Sequence, residues 1–183
     1  MMIMNRKILY IRVIKPAMAN KRQGYISWDE YFMGVALLSA HRSKDPNTQV
    51  GACIVNDKNK IVGAGYNGLP IGCDDDDFPW EKQGDFLQTK YPYICHAELN
   101  AILNNIGMDL RDCKIYTALF PCNECAKAII QSGITEVIYL SDKYDGSDVF
   151  KASKFMLDKA GVNCRKVKAT ISSLVLSFNE GDV

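Results

Sequence analysis

Polar and apolar positions along this chain follow two rhythms, and the changes between them set the order of its elements. Ser27 and Glu30 have the spacing of a capping box, and Trp28, Phe32, Val35 and Ala36 then recur at helical intervals, which predicts a first helix over about 27–43. The β-rich runs at 49–57 and 60–67 are of strand length and are joined by polar Asp57-Lys58-Asn59, the signal for an antiparallel hairpin. Residues 68–93 contain Gly68, Pro70, Gly72, Pro79, Gly84 and Pro92 together with Asp74–Asp77, and no apolar period runs through them. A loop of this length inside a compact domain is usually functional.

Beyond it the pattern is regular: a helix over about 97–106, ended by Asn105-Ile106-Gly107; a strand at Ile115–Phe120; a helix from 122 closed by Gly133; a strand at Glu136–Ser141; a helix near 148–160 closed by Gly161; and a strand at Cys164–Ile171. Strands alternating with helices predict parallel neighbours joined by right-handed crossovers. The expected fold is therefore three-layer α/β/α, with a mixed five-stranded sheet made of an antiparallel hairpin and then parallel strands.

Composition narrows the picture. At 183 residues, 48% of them hydrophobic, the chain can build one domain with a real core. Apolar runs such as Cys53–Val55 and Ala128–Ile130 fall far short of the roughly 18 residues that a membrane-spanning helix needs. The net charge of +1 conceals an asymmetry: residues 1–24 hold six basic side chains and no acidic one, and the remaining 16 basic and 21 acidic residues leave the body five charges negative. A long nucleic acid binds through clustered Lys and Arg, which this body lacks, so any such partner is expected to be a single nucleotide.

The basic segment does not fit an export signal, because its apolar run Ile8–Ile11 is cut by Arg12 and Lys15. A mitochondrial presequence would be richer in Ser and more helical. Met18-Ala19-Asn20-Lys21 has the form of a start, so residues 1–24 are expected to be a dispensable extension and 25–183 a single domain that carries the function. Seven cysteines, an odd number, with Cys122 and Cys125 two residues apart, suggest a reduced, cytoplasmic, metal-binding protein.

The chemistry concentrates in Cys95-His96-Ala97-Glu98 and Pro121-Cys122-Asn123-Glu124-Cys125. His96, Cys122 and Cys125 offer one imidazole and two thiolates, a donor set suited to Zn2+ that leaves the fourth tetrahedral position open. Both segments begin predicted helices, where the positive dipole end favours a thiolate and Pro121 suits the entrance. Glu98, two residues past His96, can reach the open position without binding metal and serve as a proton shuttle. Taken alone, Cys-x-x-Cys also describes a structural zinc half-site or a redox pair. His-x-Glu followed by Pro-Cys-x-x-Cys is the combination known from zinc nucleobase deaminases. The remaining cysteines, Cys53, Cys73, Cys95, Cys113 and Cys164, are expected to be small buried residues, and His41 a surface or packing residue.

With these motifs the chain from Trp28 to about Val167 resembles the deoxycytidylate (dCMP) deaminases, a branch of the cytidine deaminase superfamily. The branch is marked by Asp45–Ala52, Gly65–Pro70, Gly72-Cys73, Lys90–Tyr93 and Ser141–Tyr144. The resemblance implies hydrolysis of dCMP to dUMP and ammonia for thymidylate synthesis, a homohexamer, activation by dCTP with Mg2+ and inhibition by dTTP. It also implies that Asn67 binds the sugar and that Tyr144 contacts substrate, whereas the residues alone read as a turn asparagine and a packing tyrosine. Thr48, Ser43, Lys44 and Lys143 are unranked candidates for the phosphate. Asp74–Asp77 is expected to face water rather than hold Mg2+. The alternatives are a deaminase of another cytosine or adenine substrate, and a non-catalytic zinc-stabilised nucleotide-binding module. An acidic body argues against a tRNA editor, and the intact Glu98 argues for turnover.

Overall fold

The computed structural model describes residues 21–180. The first helix, α1 (Trp28–Ala40), starts at the expected capping box: the Glu30 amide donates to Ser27 Oγ at 3.2 Å, and the Ser27 amide donates to Glu30 Oε2 at 2.7 Å. It ends three residues sooner than the periodicity predicts. Residues 41–43 continue only as a turn with bonds three residues back, and Asp45 precedes Pro46, which disfavours helical backbone there. His41 is the exposed C-cap.

The hairpin strands are β1 (Gly51–Val55) and β2 (Ile61–Tyr66); after them come α2 (Ala97–Leu103), β3 (Lys114–Leu119), α3 (Asn123–Gln131), β4 (Glu136–Ser141), α4 (Asp148–Lys159) and β5 (Asn163–Lys166). The sheet order is β2-β1-β3-β4-β5. β1 runs antiparallel to both neighbours, while β3, β4 and β5 are parallel. The mixed sheet expected from the sequence is therefore present.

Strand alternation divides the core into two layers. Ala52, Ile54, Ile115 and Val137 face Ala97 and Ala101 of α2, Ala126 and Ile129 of α3 and Leu157 of α4. Their neighbours Cys53, Val55, Tyr116 and Ile138 face Phe32, Met33 and Ala36 of α1. Among the described residues one helix thus covers one face and three cover the other. α1 crosses β1 so closely that a Cβ on Gly51 would lie 1.9 Å from the Ala36 carbonyl oxygen.

Gly133 and Gly161 close α3 and α4 as expected, at φ 81° and 74°. In α3 the Gly133 amide donates to Ile130 O and the Ile134 amide to Ile129 O, and the same pattern at Gly161 and Val162 ends α4. Two expected ends shift. α2 stops at Leu103, with Asn104 as its C-cap, short of Asn105-Ile106-Gly107. β5 stops at Lys166 rather than Ile171, because the chain beyond it is captured by α1: Glu30 Oε1 accepts from the Thr170 amide at 2.6 Å, Thr170 Oγ1 at 2.8 Å and the Ile171 amide at 3.2 Å. Arg165 fastens the same corner, donating to both Asp29 carboxylate oxygens and to Glu136 Oε1. Cys53 and Cys113 are buried as expected, but Cys73, Cys95 and Cys164 are half-buried, since they lie on loops or the edge strand. The expectation for residues 1–24 falls almost wholly outside the described residues.

Candidate active site

The site forms where two helices begin. His96 is the N-cap of α2 and Cys122 the N-cap of α3, so both occupy the turn at which the chain bends from a loop into a helix. Cys122 Sγ accepts from the Cys125 amide at 3.5 Å, which places the second thiol one helical turn further on. Ser153 of α4 donates to the Pro121 carbonyl at 2.8 Å and braces that entrance. On the other side, Gly68 and Cys95 exchange both backbone hydrogen bonds, at 3.1 and 2.9 Å, and pin the residue before His96 to the end of β2.

Three donor atoms converge. His96 Nδ1 lies 3.3 Å from Cys122 Sγ and 3.4 Å from Cys125 Sγ, and all three lie within 4.8 Å of one another. With bonds of roughly 2.3 Å to sulfur and 2.0–2.1 Å to nitrogen, tetrahedral coordination puts S and N about 3.5 Å apart, so the set fits zinc through Nδ1. The two thiols are strongly unequal. The Cys125 contact lowers the Cys122 thiol, with help from His96; that same Cys122 contact, together with burial, raises the Cys125 thiol. A bound cation would take both as thiolates.

Glu98 is 4% exposed, with Oε2 3.5 Å from Cys125 Sγ and Oε1 3.5 Å from Thr117 Oγ1. Burial raises its carboxyl above the ordinary value, and His96 opposes that rise. A buried carboxylate beside a metal position, touching a donor atom yet outside the set of three, can take and return a proton there.

Above these groups opens a cleft of about 410 Å3. Of the residues expected at the substrate, Asn67, Thr48 and Tyr144 line it. Lys143 is not among the lining residues; its Nζ lies 4.9 Å from the Tyr144 ring centre. Although desolvation opposes it, the neighbouring Lys143 and Thr48 side chains lower the Tyr144 phenol. Asn67 does more than form a turn: Oδ1 accepts from the Val50 amide at 2.8 Å and Nδ2 donates to the Thr48 carbonyl at 3.0 Å. Ser43 and Lys44 lie apart from the cleft lining; Lys44 pairs with Asp75. Asp74, Asp76 and Asp77 are exposed, as expected of a face toward water.

Sequence reasoning assigned no role to Asp45, Lys82 or Lys90, which also line the cleft. Asp45 and Lys90 form a buried ion pair across 45 positions of sequence. No local spacing signals that contact, although both residues lie inside motifs that mark the resemblance. Thr117, inside the strand expected at Ile115–Phe120, likewise meets Glu98 with no spacing to signal it.

The groups at the cleft floor match the demands of one reaction, in which water adds to an amidine carbon and ammonia leaves. They define a zinc-dependent hydrolytic deaminase. Residues 26–141 match the family described as the cytidine and deoxycytidylate deaminase zinc-binding region, and the chain belongs to that family.

Among similar proteins, the deoxycytidylate deaminase of Homo sapiens is 59% identical over 160 residues, covering 87% of this chain and 90% of the human one. The probable deoxycytidylate deaminase of Drosophila melanogaster is 50% identical over 177 residues, 93% of this chain and 87% of that one. A crystal structure of dCMP deaminase from the cyanophage S-TIM5 in complex with dCMP and dUMP superposes with a TM-score of 0.60 at 25% identity, over 75% of this chain and 94% of that one. Acinetobacter baumannii RibD shares the fold, with a TM-score of 0.55 at 23% identity, over 76% of this chain and 35% of that one. Among the described residues no helix is long and apolar enough to cross a membrane.

Proposed function

We infer that this chain hydrolyses dCMP to dUMP and ammonia, with His96, Cys122 and Cys125 holding zinc and Glu98 as the catalytic acid and base. The observation that carries the reading is the buried Glu98 carboxylate 3.5 Å from Cys125 Sγ, beneath a cleft lined by Asn67, Thr48 and Tyr144. The extent of identity to deoxycytidylate deaminases supports the choice of substrate.

Zinc, when bound, supplies a Lewis acid that lowers the pKa of a coordinated water toward neutrality. Glu98 receives the proton released as water oxygen bonds to C4 of the cytosine ring and delivers it to ring N3. It then carries the remaining hydroxyl proton to the exocyclic nitrogen, so that the C4–N bond breaks, the C4 carbonyl of uracil forms and ammonia departs. Burial of Glu98 keeps solvent from competing for these protons.

Asn67 faces the sugar and Tyr144 the substrate at the cleft mouth, with Thr48, Lys143 and exposed Lys82 as donors for the phosphate. In the same reading the enzyme is a cytoplasmic homohexamer that supplies dUMP for thymidylate synthesis, activated by dCTP with Mg2+ and inhibited by dTTP. Residues 25–183 form its catalytic unit, and residues 1–24 are dispensable.

The test follows ultraviolet absorbance as zinc-loaded protein is mixed with dCMP, alone and with dCTP and Mg2+ or with dTTP. Conversion to dUMP, accelerated by dCTP and slowed by dTTP, is expected. No conversion in any mixture, with turnover of cytidine instead, would overturn the substrate assignment.

A further inference from the structure

The geometry points to a positioning role for the buried Asp45–Lys90 ion pair: it fixes the cleft wall that carries Thr48 and Asn67 against the chain leading into His96, and thereby sets the affinity for substrate. This inference rests on the dCMP reading above.

Asp45 is 2% exposed and Lys90 6%. Removing two charges from water is costly, and a buried pair often adds no net stability over apolar side chains of the same volume. Its place on the wall of the cleft gives it a different use. Asp45 Oδ1 accepts from the Asn47 amide at 2.8 Å and the Thr48 amide at 3.2 Å, while Oδ2 accepts from Lys90 Nζ and from Asn67 Nδ2 at 3.3 Å. One carboxylate therefore dictates the path of residues 47–48 and the way round in which the Asn67 amide lies. Although burial opposes it, the Lys90 ammonium and the two backbone amides keep the Asp45 carboxyl below its ordinary value.

The cation end is equally fixed. The Lys90 amide donates to the Glu81 carbonyl at 3.0 Å, and its carbonyl accepts from the Tyr93 and Ile94 amides at 3.0 and 3.1 Å. Ile94 lines the cleft and Cys95 is the residue pinned to Gly68, so the ammonium sits on the segment that delivers His96. The pair couples the wall that meets the sugar and phosphate to the segment that bears the metal ligand. With its charge spent on Asp45, Lys90 acts through its partner and not as a phosphate contact. A displacement of about 1 Å in such a frame can cost a hundredfold in the reaction it serves.

The experiment compares Lys90→Met, Lys90→Arg, Asp45→Asn and the Asp45→Asn/Lys90→Met double variant as zinc-loaded full chains. Zinc content, kcat and KM for dCMP are measured for each. Lys90→Met and Asp45→Asn are expected to raise KM about tenfold or more with kcat within about threefold and zinc at the wild-type level. The double variant, which removes both charges and keeps an amide oxygen for Asn47 and Thr48, is expected to recover most of that loss. Lys90→Arg keeps the charge in a different shape, and an intermediate KM is expected even if Lys90→Met yields no folded protein. An unchanged KM in the variants that fold overturns the inference. So does a double variant no better than Lys90→Met, because that pattern assigns Lys90 a direct substrate contact. Wild-type turnover of dCMP, measured alongside, separates these failures from failure of the deaminase reading itself.

Discussion

Gly65 lies so close beneath α2 that a Cβ built on it would come within 2.6 Å of the Ala97 carbonyl oxygen, and within 2.3 Å of the Ala101 amide nitrogen. The helix that bears Glu98 is therefore seated directly on the β2 backbone. Asn100 Nδ2 and Asn104 Nδ2 hold it there by donating to the Tyr66 and Ala64 carbonyls at 2.8 and 3.2 Å. Gly65→Ala is expected to push α2 away from the sheet, costing about 1–3 kcal/mol of stability and lowering kcat along with the melting temperature. Gly34→Ala is the contrast. It lies within α1, and its added Cβ meets only Leu174 Cδ2 at ordinary contact, 3.6 Å, so it should raise stability by up to about 1 kcal/mol. Calorimetry with a parallel dCMP assay separates the two, and a Gly65→Ala protein as stable and active as wild type would refute the close seating.

Glu98 and Cys122 should fail in different ways. Glu98→Ala is expected to keep zinc and lose about a hundred- to ten-thousand-fold in kcat, the usual worth of a positioned acid and base. Cys122→Ala should lose the metal and, with it, activity. Elemental analysis and single-turnover kinetics on both variants give the comparison; near-normal turnover by Glu98→Ala would remove it from the chemistry.

The convergence of His96, Cys122 and Cys125 could be read from the chain because these residues obey local rules. His-x-Glu and Cys-x-x-Cys each lie within one turn of a helix start, and Pro121 and Gly133 mark the bounds of α3. Alternating strands and helices gave the sheet. The parts that could not be read are those made by contacts distant in sequence. Glu30 holding Thr170 and Ile171 spans about 140 positions and shortens β5, and Asp45 meeting Lys90 spans 45. Neither has a period or spacing to announce it, and β-propensity alone carried the last strand past the point where α1 captures its backbone.

Acid should reveal the contact between α1 and the C-terminal segment. Amide and hydroxyl donors from Ser27 and Thr170 hold the Glu30 carboxyl at about 2, below its ordinary 4.5. A carboxyl lowered in the folded state contributes stability that is complete above its unfolded value and fades as pH falls toward its folded one. Glu30→Gln should therefore unfold at lower urea than wild type at pH 7, with the gap between them closing from about pH 4.5 down to about 2. Urea midpoints across that range test it, and a gap that stays constant with pH would assign the effect to shape rather than charge.

Deleting residues 1–17 is expected to leave kcat/KM for dCMP within about twofold, because the capping box at Ser27 and every cleft residue named here lie beyond the cut. Steady-state kinetics of the shortened chain against the full one decide it. A large loss of activity would give that basic segment a part in catalysis or assembly.

The paired bonds between Gly68 and Cys95 also make the stretch between them a separable insert. Its two ends are stitched together at the base, so lengthening its exposed part costs little, about 0.6 kcal/mol for each doubling of a flexible loop, and leaves the segment from Lys90 to Cys95 that delivers His96 in place. Evolution or an engineer could exchange that flap for another and retarget the scaffold to a new base or sugar, provided the replacement again presents a positive group to Asp45.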